Sequence, residues 1–153
     1  MVKEERIMVQ VPHNKLHYGE EETLIVSDII NSGNWVNKKL IQEAERNFAA
    51  RASRFGAVAV GTGSAALRLA LHGLGVGAGD KVAIPRYSCV ALANSVLACD
   101  AEPIPIDICR KSLNIDHSDI RRKLNKDKHN IKAIIGVNTF GNPIDIDKIR
   151  GLG

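Results

Sequence analysis

Aromatic side chains are scarce: one Trp, two Tyr and three Phe make up 4% of the 153 residues. The most basic stretch, Arg121-Arg122-Lys123 with Lys126 and Lys128, therefore has no interleaved aromatic on which a base would stack. With a net charge of only +4, it reads as the solvated face of a short helix, and no nucleic-acid surface is expected. Cysteine is limited to Cys89, Cys99 and Cys109, which form no C-x-x-C pair and sit among apolar or small residues, so buried free thiols in a reducing compartment are expected. The five histidines are scattered and none shares a ligand spacing with a cysteine, which argues against a metal site. No apolar run approaches the length of a membrane span, and the start, MVKEERIMVQ, lacks the apolar core of a signal peptide; a cytoplasmic protein with no membrane partner is expected.

What remains is the composition of one globular domain, 44% hydrophobic and 25% charged. Its centre is AVAVGTGSAALRLAL, Ala57 to Leu71, where a short apolar run suited to a buried strand meets a glycine turn and a helix. Gly61 and Gly63 allow backbone conformations closed to other residues, while Thr62 and Ser64 place hydroxyls where the helix begins. A helix start offers unpaired N–H groups and partial positive charge, so Thr62, Gly63 and Ser64 form a candidate phosphate cradle; a glycine turn that binds nothing is the plainer alternative. Gly61, Gly63 and Ala66 also fit the dinucleotide fingerprint, but the next run ends Tyr87-Ser88, with no acid to hold a ribose.

In chain order, residues 1–18 form an irregular arm. Gly19 and three glutamates start a first helix with Leu24, Ile25, Ile29 and Ile30 as its apolar stripe, and Asn31-Ser32-Gly33 ends it. Trp35 follows in the loop, either as a packing anchor or as a wall near a ligand. A second amphipathic helix spans Lys38 to about Arg54, with Leu40, Ile41, Ala44, Phe48 and Ala52 on one side. Strands are predicted at Ala57–Val60, Lys81–Pro85, Glu102–Ile108 and Ile131–Val137. Helices are predicted from Ala65, within Tyr87–Ala98 with Ser88 as cap and Val90, Ala93, Val96 and Leu97 inward, from Asp116 to near Lys126, and from Ile144. The alternation predicts an α/β fold, a mostly parallel sheet with helices on both faces. Ligands collect at the carboxyl ends of such strands, so the loops 61–64, 86–89, 107–109 and 138–141 should line one rim.

Four stretches taken together resemble the DegT/DnrJ/EryC1/StrS sugar aminotransferases: NSGNW at 31–35, VAVGTGSAALRLALHGLGVGAGDKVAIP at 58–85, YSCVALANSVLACDAEPIPIDI at 87–108 and GVNTFGNPIDIDKI at 136–149. The resemblance implies pyridoxal 5'-phosphate as cofactor, an aspartate-aminotransferase-like fold and a homodimer. It also implies amino transfer from a donor such as glutamate to a keto sugar nucleotide. It implies that Gly63 and Ser64, where the family usually has Gly-Thr, hold the cofactor phosphate, with Thr62 in the same turn. Cys89 falls where many members stack an aromatic on the pyridine ring, and either lines the cofactor or simply packs. Asn138 stands where a histidine is common and Asn37-Lys38-Lys39 where a glycine is usual; Trp35 and Asn138 are the candidate substrate contacts.

Family chemistry also needs a carboxylate on the pyridinium nitrogen and a lysine for the Schiff base. In the family both lie beyond the helix that starts at Asp145, and no lysine here, Lys81 and Lys132 included, occupies a matching position, so no catalytic residue is assigned. The expectation is an N-terminal portion of a large domain over residues 19–153, without the rest of that domain or the small domain, and with apolar helix faces left exposed. Alternatives are a non-catalytic product of a shortened gene acting as a binding or structural partner, one half of a split enzyme, and a dinucleotide-binding domain.

Overall fold

The computed structural model describes Pro12 and residues 15–126 and 131–152, in two compact units divided between Ala59 and Val60. Most of the expected arm lies outside the described residues; Pro12 and residues 15–18 are exposed and irregular.

The first unit holds two helices. Helix α1, Glu20–Ser32, begins at Gly19, whose N–H donates to Glu22 Oε2 at 2.7 Å, and ends at Gly33 in the left-handed region, φ 66°. Helix α2, Lys38–Arg51, is capped by Asn37 Oδ1, which accepts the Leu40 N–H at 3.2 Å. The apolar stripes stand where the periodicity puts them, but within this unit they are not covered: Leu24, Ile25, Ile30, Leu40, Ile41 and Phe48 are exposed, and Ala49 is the buried apolar residue. Trp35, 71% exposed, does not anchor its loop by packing within the unit.

The second unit is a three-layer α/β arrangement. Strands β1, Lys81–Pro85, β2, Glu102–Ile106, and β3, Ile131–Ile134, form a parallel sheet in the order β2-β1-β3. Alternation along β1 splits the core in two. Val82 and Ile84 pack with Leu71, Leu92 and Val96 from helices α3, Gly63–Gly73, and α4, Ala91–Leu97. Ala83 packs on the other face with Ile106, Ile115 and Ile120, joined by Leu124 and Ile149 from helices α5, His117–Lys126, and α6, Ile146–Arg150. Helices thus cover both faces, as a parallel sheet requires.

On β2 the N–H of Glu102 donates to Asp80 O at 2.9 Å and the carbonyl of Ile106 accepts the Arg86 N–H at 2.8 Å, so residues of that parity face β1. Pro103 and Pro105 have the opposite parity and face the outer edge, where their missing N–H costs no ladder bond.

Several sequence expectations are corrected. Ala57–Val60 joins no sheet among the described residues; an apolar run encodes a preference for burial, not the neighbour it pairs with, and here the Ala59 N–H goes to Glu45 Oε1 at 2.8 Å. Three strands are therefore described where four were predicted, and the last two end earlier than expected, at Ile106 and Ile134. Ser88 does not cap α4, because its hydroxyl donates back to Pro85 O at 3.0 Å. Val90 and Leu97 point outward, at 68% and 56% exposure, while Ala93 and Val96 pack inward as expected, joined by Leu92. Of the cysteines, only Cys99 is buried; Cys89 is exposed and Cys109 half-buried. In the basic stretch, Arg122 and Lys123 pair with Asp119; the side chain of Lys126, and Lys128, lie outside the described residues.

Candidate functional site

The turn before α3 is built as a helix start. Thr62 Oγ1 accepts the Ala65 N–H at 3.1 Å, and its carbonyl accepts the Ala66 N–H at 3.0 Å. The next N–H groups, those of Gly63 and Ser64, have no partner among the described residues, and the Ser64 side chain is exposed. Neither Gly61 nor Gly63 lies at positive φ, so their conformational freedom is not what the turn uses. What Gly63 supplies is room: a Cβ built there would meet no atom within 4 Å, which leaves the backbone open to an approaching anion. Two N–H groups, a free hydroxyl and the positive end of an 11-residue helix fit a phosphate.

Beside this turn runs the segment after β1. The buried Ser95 of α4 donates its hydroxyl to Ala91 O at 2.7 Å and lies 3.5 Å from Ser64 O, tying α4 to the head of α3. Tyr87, Ser88 and Cys89, just before α4, face Val137, Asn138, Thr139 and Phe140 after β3 across a cleft of about 370 Å³. Phe140 stands 78% exposed at φ 53°, a left-handed conformation uncommon for a non-glycine residue, within the 3-10 turn Thr139–Gly141. The Thr139 hydroxyl is buried and has no hydrogen-bond partner among the described residues.

The segment after β2 closes the rim. Asp107 pairs with Arg86 at 3.2 Å, and its N–H donates to the buried Asp119 Oδ2 at 2.8 Å. Cys109 opens a tight excursion that returns through Ile115; hydrogen bonds from the Ser112 and Lys111 N–H groups and the Ser112 hydroxyl hold its thiol below the ordinary value. Loops 86–89 and 107–109 are thus joined through Arg86 and Asp107, 86–89 faces 138–141 across the cleft, and 61–64 is tied through Ser95 to α4, which follows 86–89. Cys89 and Asn138 share the cleft; Thr62, Gly63 and Ser64 sit at the neighbouring helix start; Trp35 belongs to the other unit.

The residues that fix the last loop were not singled out from the sequence. Buried Asn114 donates to the carbonyls of Asn142 and Pro143 and accepts the Thr139 N–H, partners 25 to 29 positions away that no local pattern reveals. No group of three or more His, Cys, Asp or Glu able to hold a metal occurs among the described residues.

Residues 17–153 match the family model of the DegT/DnrJ/EryC1/StrS aminotransferase family. The chain belongs to that family. Among curated relatives of this aminotransferase-family chain, the GDP-perosamine synthase of Vibrio cholerae is 35% identical over 133 residues, 86% of this chain and 35% of the relative. Among solved structures, the aminotransferase from Psychrobacter cryohalolentis superposes with a TM-score of 0.80 at 30% identity, over 89% of this chain and 34% of the other. Spr1654 from Streptococcus pneumoniae in its PLP-form gives a TM-score of 0.80 at 26% identity, over 93% and 36%. The chain therefore spans about a third of the length of these relatives. No helix among the described residues is long and apolar enough to cross a membrane.

Proposed function

We propose that residues 19–153 contribute the cofactor-phosphate cup and one wall of the site to a pyridoxal-phosphate-dependent aminotransferase acting on a keto sugar nucleotide. The observation that carries this is the head of α3, where the Gly63 and Ser64 N–H groups are unpartnered and the backbone at Gly63 is open. The family match and the PLP-form of the Streptococcus pneumoniae relative support the cofactor. The name of the Vibrio cholerae relative supports a nucleotide-linked sugar.

When bound, pyridoxal phosphate supplies an electron sink for chemistry at the carbon bearing the amino group. In this reading Gly63 and Ser64 bind its phosphate by two N–H groups and a hydroxyl. Thr62 holds the helix start in shape, its hydroxyl oxygen taken by the Ala65 N–H. Cys89 borders the cleft as a small wall in place of a stacking ring, and Asn138 and Trp35 contact the substrate. A homodimer in the cytoplasm completes the proposal.

The test is a titration of the 153-residue chain with pyridoxal 5'-phosphate, followed by the absorbance of the cofactor. Weak binding by the unmodified chain, lost in Ser64→Trp and retained in Arg68→Ala on the exposed side of the same helix, is the expected result. Equal binding by Ser64→Trp overturns the cup.

A further inference from the structure

We propose that Asn114 is a positioning residue for the cleft, holding the loop on which Asn138 and Phe140 stand. Asn114 is 4% exposed and lies beyond the sheet, in the excursion that links β2 to α5. Its side-chain amide has two donors and an acceptor, and all three bonds are made to one loop. Nδ2 donates to Asn142 O at 2.9 Å and to Pro143 O at 3.1 Å, and Oδ1 accepts the Thr139 N–H at 3.0 Å.

These partners bracket the turn at Phe140 from both sides. The turn's own bonds are short-range, Gly141 N–H to Asn138 O at 3.1 Å and Asn142 N–H to Thr139 O at 3.0 Å. Phe140 is 78% exposed, so its left-handed backbone is not held by packing of its ring. A sparsely populated conformation persists only where the surroundings over-determine it. The surroundings here are the Asn114 amide, together with Asn142 Nδ2, which donates to Ser112 O at 3.1 Å in the same excursion.

The brace is itself rigid. Asn114 O accepts the Cys109 N–H at 2.9 Å, and Ile108 and Ile115 on either side form an antiparallel bridge. The loop in turn orients the proposed substrate contact, because Asn138 Oδ1 accepts the Ile144 N–H at 3.0 Å after the chain has passed Asn142 and Pro143. Loss of the Asn114 donors frees two carbonyls between these ends, and the orientation of Asn138 goes with them.

Asn114→Asp keeps the shape and the acceptor but removes both donors and sets a carboxylate against two carbonyls. Amide hydrogen exchange on the 153-residue chain reads the effect residue by residue. In the variant, the Ile144 and Asn142 amides should exchange at least about tenfold faster, with Val82 and Ala83 of β1 unchanged. In the unmodified chain, the Nδ2 protons of Asn114 should exchange far more slowly than those of exposed Asn94, a comparison that does not depend on any variant folding. Unchanged exchange at Asn142 and Ile144, acceleration spread equally into β1, or unprotected Nδ2 protons overturns the proposal.

The binding arm rests on the cofactor-site reading above: affinity for pyridoxal 5'-phosphate should fall about tenfold in Asn114→Asp. Absence of binding by the unmodified chain sinks the cofactor reading, and the exchange data then decide the role of Asn114 alone. Binding unchanged by Asn114→Asp while the loop loosens means that Asn114 positions the loop but not the cofactor wall, and overturns the proposal.

Discussion

Asp119, buried on α5, accepts the backbone N–H of Asp107 at 2.8 Å and so fastens that helix to the carboxyl end of β2. The same carboxylate binds Arg122 at 2.5 Å and Lys123 at 3.3 Å, while Lys123 Nζ also donates to the carbonyl of Pro105. One buried acid thus gathers a helix, a strand end and two cations.

Acid should unfasten this joint. Burial is the strongest single influence and would raise the Asp119 pKa, but the Asp107 N–H, Arg122 and Lys123 together outweigh it and hold the group below the ordinary carboxylate value. A depressed folded pKa means stability that is present above the unfolded value, about 3.9, and lost as pH falls through the folded one. The melting midpoint should therefore drop steeply below about pH 4. Asp119→Asn should start lower at neutral pH, by about 1–3 kcal/mol, and show a shallower acid fall. Parallel pH profiles for the two proteins would refute this.

Thr62→Ala should cost about 1 kcal/mol, and Thr62→Ser only a small part of it, since serine offers the same oxygen to the Ala65 N–H. Urea titrations of the three proteins measure the difference. A wild-type midpoint for Thr62→Ala would show that α3 starts elsewhere.

Exposed apolar faces on α1 and α2 should make the chain associate. Leu24 is 63% exposed and Phe48 69%, on stripes that are otherwise regular. Sedimentation across a range of concentrations should show self-association of the 153-residue chain that weakens in Leu24→Glu with Phe48→Glu. A strict monomer with a steep, reversible urea transition contradicts the expectation.

Borohydride reduction in the presence of pyridoxal phosphate should label no single lysine. Lys132 on β3 has its ammonium bound to Asp80 at 2.9 Å and to the carbonyl of Gly75. That bond also lowers the Asp80 pKa. Both partners precede β1, so this ammonium is held at the amino ends of the strands, away from the candidate site. Stoichiometric labelling at one site, read by peptide mass spectrometry, would overturn the assignment of no catalytic residue.

Local signals carried most of the fold. KVAIP was legible as β1 because a short apolar run, Val82 to Pro85, between glycine-rich and polar turns has few other uses, and α3 because Thr62 precedes a helical apolar pattern. Both faces of the sheet followed from the alternation of strands and helices. Ala57–Val60 carried the same apolar signal as β1, yet a strand exists only by its ladder, and the sequence of a strand does not name its neighbour. The turn containing Thr62, Gly63 and Ser64 was legible as a helix start, although its glycines serve by their size. Asn114 was illegible: a single buried amide whose partners lie beyond α5 and β3 leaves no periodicity to read. The roles of Cys89, Asn138 and Trp35 came from resemblance alone, since exposure and spacing distinguish none of them from other loop residues.

The prolines of β2 give the sheet a direction of growth. A strand approaching the outer side of β2 finds no N–H at Pro103 or Pro105, and the carbonyl of Pro105 is already taken by Lys123. β3 carries no proline along Ile131–Ile134 and has no strand on its far side among the described residues. Extension, whether by further sequence or by a second chain, is therefore confined to the side of β3. One flank is closed by its covalent structure, so two such sheets can meet edge to edge only through their β3 strands.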